Sequence, residues 1–315
     1  MASSMSWAYD APTGTWKNQK LSKTLREGAF SDTQFVPFCT TEPMGKGQGE
    51  TLDLYTVVGP EEPTSALLTE QVRIPTDTLT FSKAQLTLRE RGRALEWTNK
   101  LEDLSTFQVS AVAQKRLRRV LGLVMDTEAA TEFKDTYLNY IPLTATTYAM
   151  DTDGTPSQAA VSNLNLYHMQ QLRDNAYGTY KIPFVDGSHY VMIAYYLGLR
   201  GIKNDPSWQQ WKVYGSPDTI ATGEVGQIET IRCIETNHSN ALTAVGTGSV
   251  LGEAVLFGDE AVAYAEAVTP ELRMKPKTED YGRSLGCAWY GNYGFKLYHP
   301  TANAGEARVI CITSA

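Results

Sequence analysis

Apolar and polar positions along the chain switch between two periods, and the switches mark the elements. Thr51 to Val58 (TLDLYTVV) is a run of strand formers that stops at Gly59-Pro60-Glu61-Glu62-Pro63, where two prolines and a glycine forbid a continuing ladder. Thr78 to Leu88, rich in threonine and leucine, reads as the returning strand. The pair predicts a long two-stranded excursion with an irregular tip between Pro60 and Pro75. Because an isolated hairpin is only marginally stable in water, this one is expected to lean on a neighbouring surface.

The strongest helical signal follows. Ser105 and Gln108 fit a capping box, and Val109, Val112, Ala113, Leu117, Val120, Leu121 and Val124 then recur at spacings of three and four. With a tail through Phe133 and Tyr137 this predicts a spine helix of about 30 residues, roughly 45 Å long. Its middle holds Lys115, Arg116, Arg118 and Arg119, with no acid until Asp126, which is either a solvated face or a partner-binding patch.

Beyond Pro142 and the turn at Asp151–Gly154, a second helix is expected over Ser162 to Ala176, ending near Gly178. Ile182 to Val185, an Asp186-Gly187 turn and Tyr190 to Tyr196 read as a hairpin, and Pro206 to Val213 as a short helix. Strands are expected at Gln227–Thr236, Ala254–Phe257, Ala261–Ala267 and Gly286–Tyr298. In the last, Trp289, Tyr293, Phe295 and Leu297 share one face, alternating with Tyr290, Asn292, Lys296 and Tyr298. The class is α+β, with no regular βαβ repetition. Residues 1–46 keep neither period for long yet carry Trp7 and Trp16, so they read as an arm that lies against something else, a second copy being one candidate.

Composition narrows the function classes. At 315 residues the chain is long enough to bury a real core. The charge sum, 28 basic against 35 acidic residues, argues against a protein whose main task is gripping nucleic-acid phosphates. The longest nearly apolar run, Tyr190 to Leu199, is about half of a membrane span, and the first ten residues lack a basic-then-apolar leader, so neither a membrane protein nor a secreted one is expected. Cys39, Cys233, Cys287 and Cys311 form no Cys-x-x-Cys pair, which disfavours zinc ribbons and redox motifs and favours buried, reduced thiols.

Candidate chemistry is sparse. Gly282-Arg283-Ser284-Leu285-Gly286 matches the nucleophile elbow letter for letter, but an aromatic strand follows where a helix is needed, and the only later histidine, His299, precedes Glu306. The default for Ser284 is a loop between strands. The glycine groups Gly45–Gly49 and Gly246–Gly252 complete no phosphate loop, and His168, His189, His238 and His299 share no metal-ligand spacing and read as surface or cap residues. No catalytic residue, cofactor or metal is expected. An aromatic arm, an unsupported hairpin and a spine helix make sense mainly if other chains supply the missing burial, which points to assembly.

Three segments carry a family resemblance: Gln85 to Ser105 (QLTLRERGRALEWTNKLEDLS), Ile182 to Tyr196 (IPFVDGSHYVMIAYY) and Gly223 to Thr236 (GEVGQIETIRCIET). Together, in this order and with the long helix between the first two, they resemble the major capsid proteins of tailed double-stranded DNA bacteriophages with the Hong Kong 97 fold. The resemblance implies an α+β fold with an N-terminal arm at 1–46, an extended β-hairpin loop at 47–99, a discontinuous peripheral domain with a long spine helix at 100–150 and 268–315, and an axial domain at 151–267. It also implies self-assembly into pentamers and hexamers of an icosahedral phage head, made in the host cytoplasm and found in the virion. The implied partners are a separate scaffolding protein, a portal, decoration proteins and non-specifically packaged double-stranded DNA, with no membrane. The inter-subunit contacts expected are Glu61 and Glu62 at the hairpin tip against Lys115, Arg116, Arg118 and Arg119, with Trp7 and Trp16 covering a neighbour. Two other readings stay open at this point: an encapsulin-type compartment shell, and a serine hydrolase using Ser284.

Overall fold

Ala254–Phe257 and Val309–Ile312 are uninterrupted apolar runs, the pattern of strands buried on both faces, and both lie inside a seven-stranded sheet. The computed structural model describes residues 31, 33–44, 47, 49–57, 67–68, 70–71, 73–74, 76, 78–79, 81–105, 108–206, 224–276 and 282–315. In spatial order the large sheet runs β6 (Thr147–Asp151), β5 (Asn139–Thr144), β15 (Val309–Ile312), β12 (Ala254–Phe257), β7 (Tyr190–Tyr195), β9 (Ile231–Thr236) and β8 (Glu224–Ile228). β5 and β15 are parallel, as are β7 and β9; the other neighbours are antiparallel.

Strand alternation then sorts its side chains into two cores. Met192, Ala194, Ala254, Leu256, Ile310 and Ile312 face α3 (Leu166–Asp174), while Val191, Ile193, Val255, Phe257 and Val309 face the spine helix α2 (Val109–Lys134). Against the same helix lies a four-stranded sheet ordered β1 (Thr40–Glu42), β13 (Val262–Met274), β14 (Ser284–Leu297) and β4 (Arg89–Thr98). Here Trp289, Tyr293, Phe295 and Leu297 all turn inward, as their alternation predicts, onto Ala113, Leu117, Ala129, Ala130 and Phe133 of α2.

The hairpin, β2 (Thr51–Val57) and β3 (Phe81–Thr87), is a sheet of its own, in register from Thr51↔Thr87 to Val57↔Phe81. Its root is fixed by a third, small core of Leu54, Leu86, Leu88, Met44, Ala263 and Ala265. The crossing is tight: a Cβ on Gly294 of β14 would stand 2.5 Å from the Thr87 carbonyl, so a side chain there forces the hairpin off its seat. The shorter elements are α1 (Asn99–Leu104), α4 (Arg200–Lys203) and the two-residue pair β10 (Ala244–Val245) and β11 (Leu251–Gly252).

Several local expectations change. Ser105 does not start the spine helix but ends α1, whose own cap is Thr98, accepting from the Leu101 N–H. The spine begins at Val109, lacks a side-chain cap at Gln108 and stops at Lys134, so it is 26 residues long, about 39 Å, and Tyr137 lies outside it. Val120 is only half-buried, whereas Leu117 is 2% exposed. The second helix starts four residues later than expected because Asn165, not Ser162, caps it by accepting from the His168 N–H, and it closes in a π turn over Asn175–Thr179. Ile182–Val185 forms no strand; β7 pairs instead with β12 and β9, partners that are distant in sequence. The sheets join segments that are distant in sequence. Residues 139–144 and 309–312 share the large sheet with 190–257, and β13 straddles residue 268. Of the short helix expected at Pro206–Val213, all but Pro206 lies outside the described residues.

Candidate functional site

The spine places its four cations by helical geometry alone. At 3.6 residues per turn, Lys115, Arg116, Arg118 and Arg119 span an arc of about 160° centred opposite Leu117, and all four are exposed while Leu117 is buried. The expected basic face is therefore present. The residues expected to meet or accompany it, Glu61, Glu62, Trp7 and Trp16, lie outside the described residues.

The hairpin is amphipathic across its two faces. Leu52, Leu54, Ala84 and Leu86 turn toward the root core, and Tyr55, Val57 and Phe81 turn outward at 66%, 57% and 63% exposure. Lower on the outer face, Lys83 lies 2.7 Å from Asp53 and above the Tyr55 ring, and its pKa is raised by the Asp53 hydrogen bond. Two strands cannot cover these rings themselves, and among the described residues each strand has one backbone edge without a ladder partner.

Between the hairpin root and the spine runs a charged cleft of about 360 Å³, lined by Arg89, Arg91, Glu128, Thr131, Glu132 and Lys296 among others. Arg91 pairs with Glu128; Lys296 Nζ sits 3.2 Å from Glu132 and 3.1 Å from Asp135. Burial works against the Lys296 charge, but the two carboxylates outweigh it and raise its pKa. These pairs brace β4 and β14 against the spine. Their signal in the sequence is weak, because partners 37 and 164 positions apart leave no local pattern.

Ser284 opens strand β14, and its Oγ accepts from Lys275 Nζ at 3.1 Å, while Lys275 also pairs with Glu96. The strand–turn–helix of a nucleophile elbow is absent around it: β14 runs on for 14 residues. The histidines correct the expectation of surface residues, since His168, His238 and His299 are buried. His168 gives Nε2–H to the Thr144 carbonyl at 2.9 Å and accepts the Tyr140 hydroxyl at Nδ1, 2.8 Å away; burial lowers its pKa, against the pull of Thr144. His299 is pushed down to about 4 by burial and then by Arg308. His189 is shared between Asp186 and Arg232. Among the described residues no group of histidines, cysteines and carboxylates has the arrangement of a metal site. Cys233, Cys287 and Cys311 are buried free thiols as expected, and Cys39 is half-buried. The Gly246–Gly252 segment is a tight turn joining β10 to β11, with Gly246 at φ 85° against the Ala160 carbonyl. No helix among the described residues is long and apolar enough to cross a membrane.

No family model matches the chain, and neither does any curated protein. Solved structures do. The chain is similar to one in the capsid of Ralstonia phage GP4, at 16% identity and a TM-score of 0.64, covering 96% of each chain. It is also similar to one in the capsid of cyanophage P-SCSP1u (10% identity, TM-score 0.69, 95% of this chain and 93% of that one). A third is in the head of Helicobacter pylori bacteriophage KHP40 (11% identity, TM-score 0.69, 94% and 95%). At these identities it is the fold that is shared. The chain has the α+β fold of phage capsid chains, the Hong Kong 97 type that its sequence resembles.

Proposed function

We propose that this chain is the major capsid protein of a tailed double-stranded DNA bacteriophage, a structural protein that assembles into pentamers and hexamers of an icosahedral head. The observation that carries the reading is the likeness to capsid chains over nine-tenths of both partners. The outward rings of the hairpin support it, because apolar side chains clustered on one exposed face suit burial by a neighbour.

Within that reading the four-stranded sheet and α2 form the peripheral domain, the seven-stranded sheet with α3 the axial domain, β2–β3 the extended loop, and the residues before Thr33 the arm. These boundaries are drawn along the sheets. Glu61 and Glu62 of one copy meet Lys115, Arg116, Arg118 and Arg119 of the next, and Trp7 and Trp16 lie against a neighbour. A scaffolding protein, a portal and decoration proteins act as separate partners, the shell holds DNA without sequence preference, and the role is structural rather than enzymatic. The net charge of −7 suits an inner wall that must let DNA in and out. Electron microscopy of the purified chain tests the reading: rings or closed shells are expected. A monodisperse monomer across low and high salt, with no rings, shells or aggregates, overturns it.

A further inference from the structure

A carboxylate sits where a spine helix has no ordinary use for one. Asp126, in the second half of α2, is 0% exposed, and each of its oxygens is engaged by a different distant segment. Oδ1 accepts the backbone N–H groups of Gln34 at 2.9 Å and Phe35 at 2.7 Å. Oδ2 faces Nδ1 of His238 at 3.0 Å, and His238 is 2% exposed in the loop that follows β9. The segment so held is the stretch through which residues 1–30 join the body. Phe35 is fully buried, its ring 5.5 Å from Phe133, and Phe38 sits 5.3 Å from Phe257.

Hydrogen-bond geometry fixes what each ring nitrogen of His238 faces. At Nδ1 it meets a carboxylate, which only accepts. At Nε2, 3.4 Å away, it meets Thr127 Oγ1, whose own proton is given to the Leu123 carbonyl at 2.8 Å. Both ring nitrogens therefore face acceptors, and an imidazole that donates from both carries a positive charge. The other titratable group that feels Asp126 is Cys39, from the held segment itself. Its pKa is pushed up to about 12 by burial and then by Asp126, so it stays a neutral thiol. Next to Asp126 on the helix, Glu128 is paired with Arg91, and the loop from Asn237 to Leu242 carries no titratable group besides His238.

We propose that Asp126 and His238 form a proton-operated latch that seats the root of the N-terminal segment, residues 33–39, on the spine helix. With the imidazole doubly protonated, the buried carboxylate is neutralised and its second oxygen is free to hold Gln34 and Phe35. Withdrawing that proton leaves a buried carboxylate without its counter-charge, a state that is relieved when the segment lifts and water reaches Asp126. The latch stands whether or not the chain builds a shell, and it couples the segment leading to residues 1–30 to the loop that closes β9.

The test is hydrogen–deuterium exchange by mass spectrometry on the full chain at about pH 6 and about pH 8, on either side of the range where imidazoles change charge, with labelling times scaled for intrinsic exchange. Peptides over residues 33–39 are expected to lose protection by about tenfold or more at the higher pH, the weight of one charge-assisted hydrogen bond, while the rest of α2 does not change. His238→Gln keeps a donor for Asp126 without a titrating proton and is expected to abolish the difference. Asp126→Asn is expected to expose residues 33–39 at both pH values. If that variant does not fold, the His238→Gln comparison decides alone. Equal protection at both pH values in the native chain, or the same pH response in His238→Gln, overturns the latch.

Discussion

The spine helix and the hairpin are both long elements, and they solve burial in opposite ways. α2 turns Leu117, Ala129, Ala130 and Phe133 into a core shared with both sheets and keeps Lys115, Arg116, Arg118 and Arg119 on its exposed face. The hairpin anchors its root through Leu54 and Leu86, and presents Tyr55, Val57 and Phe81 more than half exposed on its outer face. The helix thus belongs to the fold of one chain, whereas the proposed assembly leaves the outer face of the hairpin to another. The comparison separates two kinds of mutation, those that unfold the chain and those that leave it folded but alone.

The largest effect is expected on the helix. Leu117→Asp puts an unpaired carboxylate into the core between α2 and β14 and is expected to cost about 3–5 kcal/mol, enough to abolish soluble expression. Val120→Asp, at a half-buried position, is expected to fold with a lowered melting temperature. Soluble yield and thermal melting of the two variants check this. Equal behaviour would mean that the buried face of α2 is wrongly phased.

Next comes the hairpin. Tyr55→Asp combined with Phe81→Asp changes exposed residues, so the melting curve is expected to stay within about 0.5 kcal/mol of native stability. Assembly is expected to fall at least tenfold, since each covered ring contributes about 1.5–3 kcal/mol at an interface. Sedimentation velocity alongside circular dichroism reads both. Unchanged assembly would remove the hairpin's outer face from the interface.

What was legible in the sequence follows the same division between local and distant causes. The hairpin and the inward face of β14 were readable because strand alternation is carried by adjacent residues, and β12 because an uninterrupted apolar run is too. The cationic arc on α2 was readable because its residues lie within two turns. Ser105 misled because a capping pair looks the same whether it opens a helix or follows one. Ile182–Val185 misled because a strand needs partners, and those of β7 come from residues 231–236 and 254–257. Asp126 was noticed only as the end of a basic stretch; its three partners lie more than 90 positions away, and only folding brings them together. His168 and His299 looked like surface residues because a single histidine gives no local clue to its burial.

Those two buried histidines test the body without touching the hairpin. Both are held below the ordinary imidazole range, His168 by burial and His299, to about 4, by burial and Arg308. A histidine whose folded pKa is depressed contributes stability above its unfolded value of about 6.5, and that contribution is lost as pH falls through the folded one. Stability is therefore expected to drop between about pH 6.5 and pH 4, by on the order of 3 kcal/mol for His299. Denaturant melts across that window are expected to show the drop, and His299→Gln to flatten part of it. A profile that does not change on this substitution would assign the acid sensitivity elsewhere.

The smallest effect expected is the one that joins the two regions. If the hairpin tip of one copy reaches the spine of the next, Glu61 and Glu62 meet the arc of Lys115, Arg116, Arg118 and Arg119 across an interface. Each exposed pair is worth only about 0–1 kcal/mol, so a single contact in an isolated dimer would scarcely be measurable. Closed symmetry changes the arithmetic, because every interface of a ring gains or loses the same pair at once. Glu61→Lys with Glu62→Lys is therefore expected to reduce assembly modestly, more at low salt than at high, and Arg118→Glu with Arg119→Glu to do the same. Combining all four reverses the polarity of the contact and is expected to restore part of the yield, which neither a solvated face nor a general charge effect would do. The sedimentation boundary of assembled material at two salt concentrations reads all four proteins. Full assembly of the Glu→Lys variant, or no recovery in the combined one, would leave the hairpin's apolar face as the interface and return both charged surfaces to solvent.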